Sequence, residues 1–461
     1  MAVTFNLKSE AFLALCCWDE AKLCKPSKHA IIIRPQRAIR VEDMRICLLT
    51  YRGNPYSGGQ GIYIYYLSRE FQRMGHEVEV IASPPLPEVS KGVILHCLKS
   101  LSIYHPESSL RTNLPKVRNI VDLYELCATR QGMFVEPLTF SFRAYAKVRE
   151  LCKQRRFDII HDNQSLGYGL LLMKRLNIPV IATIHHPLPI DRQADLEQAN
   201  GLRDKWRIRK FYSFIHMQAF VSRRLERIIT VSQSSAEKIE LFFKVPADKL
   251  RVVYNGIDTQ IYSRNKEASQ NRNGLIMVGN TDDRKKGILY LLKALQLLRE
   301  DGIKLTIVDD AERHSLYADD AGPLPSYGLK LVKKLNLDGM VQFSGRLTRE
   351  ELARHYSAAQ IAVVPSLYEG FGLPAAEAMA CGTPVIATTG GALPEVVGNA
   401  GILVPPGRAD ALAATIKQLL NDKQAQQRMS EAGRKRVEEK FSWEQAARKT
   451  LEVYQEVLTT R

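Results

Sequence analysis

From Met44 onward, short β-rich runs alternate with segments of helical spacing, and the whole alternation runs through twice. Strand, helix, strand is the pattern of a parallel sheet covered by helices, because parallel neighbours need a long crossover between them. Strands are predicted over 45–50, 78–83, 157–161, 180–183, 228–232 and 250–254, with a helix over 60–75 after the first. Residues 259–273 then lose both periodicities and are almost wholly polar after Tyr262, which reads as a linker. Beyond it the series restarts, with strands predicted over 275–279, 304–308, 341–345, 361–365, 385–389 and 402–404. Capping-box spacing at Thr348 to Glu351 and at Ser234 to Glu237 marks two helix starts. The expected fold class is therefore α/β, with two doubly wound domains over 44–258 and 274–440. Their ligand crevices, at the carboxyl ends of the strands, are expected to face each other across a cleft. Residues 441–461 are expected to form a C-terminal helix crossing back to the first domain. The remaining stretch, 1–43, is expected to be a dispensable extension: its apolar patch at 11–17 runs straight into Asp19 and Glu20, unlike a signal peptide.

Composition narrows the class of partner. With 461 residues and 45% apolar content there is ample core, which excludes disorder, collagen and coiled coil. Lys and Arg number 65 against 49 Asp and Glu, a formal charge of +16 that favours phosphorylated substrates, nucleic acid or an anionic membrane. The 8 cysteines form no CxxC pair and read as free thiols of a reducing cytoplasm. No apolar run approaches the roughly 18 residues that span a bilayer, so the expected place is the cytoplasm, at most peripheral at the inner face of the membrane.

The most informative string is PSLYEGFGLPAAEAMACG over 365–382. A buried strand enters a loop whose glycines permit close backbone approach, and Pro374 suits the first turn of a helix. Amides at such a helix start bind phosphate. Glu369 precedes this cradle and Glu377 is placed in the first helical turn; each can accept hydrogen bonds from hydroxyls. Alone, either Glu reads as solvated or as complementing the helix dipole, and the complete string is what favours a ligand site.

With these residues in view, the sequence resembles the retaining glycosyltransferases of family 4, which use nucleotide sugars and have two Rossmann-like domains in the arrangement called GT-B. The resemblance runs from about Met44 to the C-terminus, and the stretch from Glu369 to Glu377 is its most specific part. It implies that Glu369 contacts the donor sugar, that Glu377 binds the ribose hydroxyls, and that the backbone of Gly370, Phe371, Gly372 and Leu373 holds the diphosphate and sugar. It also implies that the donor base is read by backbone near Gly345, Arg346 and Leu347.

Three further segments fit the same reading. GNTDDRKKG over 279–287 is a strand end followed by a cationic turn. By resemblance, Lys286 stabilises the departing diphosphate; the family's Arg after the strand glycine is replaced by Asn280, and Arg284 is taken as its substitute. The turn with Gly58, Gly59 and Gly61 lacks GxGxxG spacing and so is no dinucleotide fingerprint; it reads as simple turn chemistry or, by resemblance, as lying against the donor diphosphate and acceptor. His185 and His186 end a strand without a third metal ligand at sensible spacing. The resemblance places His185 beside the donor sugar, with His186 free to face the acceptor. The pairs Asp282-Asp283 and Asp309-Asp310 are read as structural or solvated, so no metal is assigned.

The cation-rich, aromatic stretch 203–227 is read as one long helix, either a basic face for anionic lipid or a core helix with solvated cations. The function expected is transfer of a sugar from a nucleotide-diphosphate sugar, the only co-substrate and no further cofactor, to an unknown hydroxyl acceptor on a lipid, glycan or small molecule. An epimerase or phosphorylase of the same fold is the alternative. A nucleic-acid-binding protein is a distant one, because no zinc finger or RNA-binding aromatic signature is found and no nucleic-acid partner is expected.

Overall fold

A computed structural model of the chain describes residues 43–54, 59–101, 114, 117–197, 199–313 and 324–460. The expected extension over 1–43, apart from Asp43, and Gly58 of the glycine turn lie outside the described residues.

Seven parallel strands form the first sheet: β1 (Arg45–Thr50), β2 (Glu77–Ala82), β3 (Ile94–Cys97), β4 (Ile159–Asn163), β5 (Val180–Ile184), β6 (Ile228–Thr230) and β7 (Leu250–Val252). Their spatial order is β3-β2-β1-β4-β5-β6-β7, so the direction of winding reverses between β1 and β4. All six residues of β1 are buried, as a strand covered on both faces requires. Its side chains alternate, Ile46 and Leu48 entering one apolar layer and Cys47 and Leu49 the other.

The second half repeats the plan with β8 (Leu275–Val278), β9 (Leu305–Val308), a short antiparallel pair β10 (Glu312–Arg313) and β11 (Leu324–Pro325), then β12 (Val341–Phe343), β13 (Ile361–Val364), β14 (Val385–Thr388) and β15 (Ile402–Val404). The six long-sheet strands run in the order β12-β9-β8-β13-β14-β15, with the reversal between β8 and β13. The architecture is α/β, with two Rossmann-like sheets in one chain.

Three local expectations are corrected. The fourth strand is 159–163 rather than 157–161: Phe157 lies under the Arg45 guanidinium and Asp158 accepts the Arg45 amide at 2.6 Å, so pairing begins at Ile159. The helix Gln233–Phe243 starts before the expected capping box, and its cap is Ser232, whose Oγ accepts the Ser235 amide at 3.1 Å. The box at Thr348 is present as read, with both reciprocal bonds made. Finally, 203–227 is two helices, Gly201–Phe211 and Phe214–Ser222. The first has no buried residue, and the second puts Phe214, Ile215, Met217 and Val221 into the core.

The last helix, Trp443–Thr459, packs its apolar face into the first sheet's layer, with Trp443, Ala447, Leu451 and Tyr454 beside Tyr63, Tyr66 and Phe71 of the helix Gly59–Arg73. Trp443 stacks on Tyr66 at 5.0 Å with 9° between the planes. Tyr454 Oη meets His161 Nδ1 at 2.7 Å, His161 Nε2 meets Thr183 Oγ1 at 2.7 Å, and Tyr63 Oη meets the same oxygen at 2.9 Å. Burial pushes the His161 imidazolium down to about 3, so the ring is neutral and uses one nitrogen as donor and the other as acceptor. Tyr454→Phe deletes one of these bonds without deleting apolar volume. It is expected to cost about 1–3 kcal/mol, read as a lower urea midpoint, because a buried ring nitrogen loses its partner.

Candidate active site

The loop 365–372 leaves the carboxyl end of β13 and feeds the helix Leu373–Ala380. Gly372 makes the entry at φ +102°, a backbone state open to glycine, and Pro374 occupies the first turn. Phe371 is buried, and its ring packs between Tyr254 and Phe441, away from any ligand role. Among the described residues, the amides of Phe371, Gly372 and Leu373 have no protein acceptor, which leaves them aimed as a helix N-terminus presents its donors.

Beside this cradle lies a cation. Lys286 Nζ donates to Glu369 Oε1 at 2.7 Å, and Ser366 Oγ donates to the same oxygen at 2.7 Å. Burial works against both charges, but their mutual attraction outweighs it: the Lys286 ammonium is held above its usual range and the Glu369 carboxyl below its own. Glu369, which alone reads as a solvated residue, is 8% exposed. Gly287, at φ +70°, lets the turn press on the Pro365 carbonyl, where any Cβ would collide.

Lys285, which the sequence reading passed over, reaches across to the first domain and donates to Asp191 Oδ1 at 2.6 Å. His186 Nε2 bonds the same carboxylate. Burial raises the Asp191 carboxyl, but His186 and Lys285 together bring it below its usual range. Arg284, the expected substitute cation, is exposed, with its guanidinium over the Tyr327 ring at 5.0 Å. Lys285 thus lies with Lys286 at the domain seam. The acidic pairs are tied into local structure: Asp309 accepts from Thr281, Asp282 from the Tyr327 amide, Asp283 from the Lys285 amide, and Asp310 pairs with Arg346 at 2.8 Å. Arg346 itself is exposed at the end of β12.

His185 follows β5. Its Nε2 lies 2.6 Å from Asn163 Oδ1, and the Asn163 amide group donates to Thr50 Oγ1 and the Gln60 carbonyl. With the Asn163 nitrogen so occupied, its oxygen is the acceptor and the His185 proton sits on Nε2. Gln164, at φ +61°, accepts the His185 amide at 2.7 Å and donates to the His186 carbonyl at 2.7 Å. Desolvation pushes the His185 imidazolium down to about 3, so a neutral ring edges onto Tyr63 at 4.6 Å.

The two halves meet at this point. Gly370 packs on the His185 carbonyl, where a Cβ would collide, and a Cβ on Gly59 would lie 3.7 Å from Leu373 Cδ1. Gly59 and Gly61, expected in a turn, open the helix Gly59–Arg73, and Gly61 is pressed against the Asn54 carbonyl rather than facing Leu373. Glu377, expected in the first turn, falls in the second turn of its helix, 7% exposed, and accepts from Tyr356 Oη at 3.2 Å. Sequence reading missed Asn163, Gln164 and Lys285. A run of buried polar residues closing a β-strand, His161 to Gln164, is the signal that marks the first two.

Two facing Rossmann-like sheets with a cation, an amide cradle and a neutral imidazole at their seam define a GT-B glycosyltransferase. The family described as Glycosyltransferase Family 4 matches residues 57–261, and that described as Glycosyl transferases group 1 matches residues 258–436. A Mycolicibacterium hassiacum protein named MMP alpha-(1->4)-mannosyltransferase is 39% identical over 422 residues, covering 90% of this chain and 98% of the relative. The chain belongs to this glycosyltransferase family and is a hexosyltransferase-type enzyme. That membership sets aside the epimerase and nucleic-acid-binding readings. Sucrose-phosphate synthase from Thermosynechococcus elongatus shares the fold, with a TM-score of 0.69 at 24% identity, over 91% of this chain and all of that one. So does Anabaena HepE, solved with UDP and glucose, with a TM-score of 0.64 at 17% identity, over 89% of this chain and 99% of that one. Among the described residues no helix is long and apolar enough to cross a membrane.

Lys286→Ala leaves Glu369 buried without its cation, a change expected to cost about 3–5 kcal/mol. The Glu369 carboxyl is depressed in the folded protein, so its stabilisation is present above the unfolded carboxyl pKa and fades as pH falls through the folded value. Urea unfolding of wild type and variant is thus expected to differ most above about pH 5, with the gap closing in acid.

Proposed function

We propose that the protein transfers a hexosyl unit, mannose being the favoured one, from a nucleoside-diphosphate sugar to a hydroxyl with retention of anomeric configuration. The observation that carries this reading is the Lys286 ammonium beside the free amides of Phe371, Gly372 and Leu373 at the carboxyl edge of the second sheet. A departing diphosphate develops negative charge, and fixed donors in a partly dry site stabilise it without reorganising. Lys285 takes the supporting place first expected for Arg284. The Glu369 carboxylate is engaged by Lys286 and Ser366, which suits a residue that contacts the sugar better than a nucleophile. The acceptor hydroxyl then attacks on the face the diphosphate leaves, and a diphosphate oxygen takes its proton. His185, neutral and held by Asn163, lies beside the anomeric centre in this scheme. No metal or further cofactor enters it. The 39% identical mannosyltransferase supports the sugar, and the solved complexes of HepE with UDP support a nucleotide donor.

Thermal shift with GDP-mannose, UDP-glucose and ADP-glucose tests the donor, and turnover with the stabilising one is expected to persist in EDTA. Absence of any shift would sink the reading. Glu377 supplies a second check. Burial raises its carboxyl to about 7, against hydrogen bonds from Tyr356 and Tyr262 that act in the other direction. Ribose hydroxyls donate to the ionised form, so nucleotide affinity is expected to fall by up to about tenfold between pH 8 and pH 6. In Glu377→Gln the calorimetric affinity is expected to be weak and flat over the same range.

The acceptor side carries a second part of the proposal. On the helix Gly201–Phe211, Leu202 is 84% and Trp206 64% exposed, one turn apart, among Arg203, Lys205, Arg207, Arg209 and Lys210. Phe211 packs on Phe134, over which Arg52 lies at the exit of β1, so this helix adjoins the rim of the cleft. We assign it to an anionic bilayer, each cation near the surface contributing about 1 kcal/mol. Wild type is expected to sediment with vesicles containing phosphatidylglycerol at low salt, and Arg203→Glu with Trp206→Ala and Arg207→Glu is expected to abolish this while sparing nucleotide binding. A wild type that ignores such vesicles points to a glycan or small-molecule acceptor instead.

A further inference from the structure

Two serines of the first domain grip the donor loop of the second. Ser232 Oγ donates to the Gly370 carbonyl at 2.6 Å, and Ser235 Oγ donates to it at 3.2 Å. Both serines are fully buried at the start of the helix Gln233–Phe243. Ser232 is also that helix's cap, so its oxygen accepts the Ser235 amide while its proton goes to Gly370. The helix end is fixed in turn by Glu395 of the second domain, whose carboxylate accepts the amides of Gln233 and Ser234 at 2.8 and 2.7 Å. On its other flank Gly370 lies against the His185 carbonyl with no room for a Cβ.

The direction of the Gly370 carbonyl has a consequence one atom further on. A trans peptide is planar, so its C=O and the following N–H point in opposite directions. With the carbonyl drawn to the serines, the Phe371 N–H is turned away from them, and among the described residues it meets no protein acceptor. Its own side chain is anchored in the core between Tyr254 and Phe441, which removes the freedom to swing back.

We propose that Ser232, seconded by Ser235, is a positioning residue of the transferase: by holding the Gly370 carbonyl it aims the Phe371 amide at the diphosphate of the donor. The inference rests on the nucleotide-sugar reading above. It makes the cradle a composite, complete only while the first domain is seated on the loop, so donor binding and domain closure favour each other. Ser232 touches neither donor nor acceptor and acts through the peptide it orients.

Calorimetric titration of UDP, GDP and ADP into the full chain separates the two levels. A wild type that binds none of them overturns the nucleotide reading and this inference with it. Given a nucleotide that binds, Ser232→Ala is expected to weaken it about threefold to tenfold, Ser232→Thr to restore affinity within about twofold, and Ser235→Ala to weaken it about twofold at an unchanged melting temperature. The last variant keeps the cap, so it reads the carbonyl contact even if Ser232→Ala folds poorly. Wild-type affinity in Ser232→Ala would show that the hydroxyl serves the cap alone, and a Ser232→Thr protein as impaired as Ser232→Ala would show that the loss does not come from the hydroxyl; either result overturns the assignment.

Discussion

The buried pair between Lys286 and Glu369 is the contact on which the geometry of the site depends. Two charges taken out of water are stable together only with close geometry and further hydrogen bonds, and Ser366 supplies one to the shared oxygen. The pair joins the turn after β8 to the loop after β13, neighbouring strands at the reversal point of the second sheet. Leu367 adds a backbone bond to the Lys285 carbonyl at 2.7 Å along the same seam. The contacts thereby hold the cation next to the loop that carries the free amides, and fixed donors are the condition for electrostatic stabilisation without reorganisation.

The first domain closes the arrangement from the opposite side, and it is braced by the end of the chain. Trp443 stacks on Tyr66 of the helix that opens with Gly59, and Tyr454 reaches the strand carrying His185 through His161 and Thr183. The polar residues of that relay are buried and mutually satisfied, which makes the wall of the site stiff rather than adaptable. Contacts across the cleft are of another kind. Polar pairs, Lys285 with Asp191, the serines with Gly370 and Glu395 with a helix end, are joined there by apolar packing such as that of Tyr254 on Phe371.

Much of the architecture was legible in the sequence because it rests on periodicity. The alternation of strand and helix patterns, repeated after the polar stretch 259–273, sets two parallel sheets, and the glycines around Phe371 mark a loop meeting a helix start. Errors arose where a local signal competed with a longer-range one. The strand 159–163 ends in Asp162 and Asn163, polar residues that look like a loop until Ser165, Leu166 and His185 supply their partners. The cap at Ser232 was overlooked because Ser234 and Glu237 also have capping-box spacing, and only the end of β6 shows where the helix begins.

The sequence by itself determined the class of fold, the loop that presents free amides and the presence of cations beside it, because patterning and turn chemistry act over neighbouring residues. Tertiary structure alone decided where each cation of the 284–286 turn points. Arg284, Lys285 and Lys286 are adjacent in a short turn, and successive residues of such a turn point in different directions: Lys286 to Glu369, Lys285 across the cleft to Asp191, and Arg284 outward onto Tyr327. It also decided the tautomer of His185 and the aim of the Phe371 amide, since both are set by partners far away in sequence, Asn163 in one case and Ser232 in the other. Spacing along the chain carries no information about the direction of a proton; contact between distant segments does.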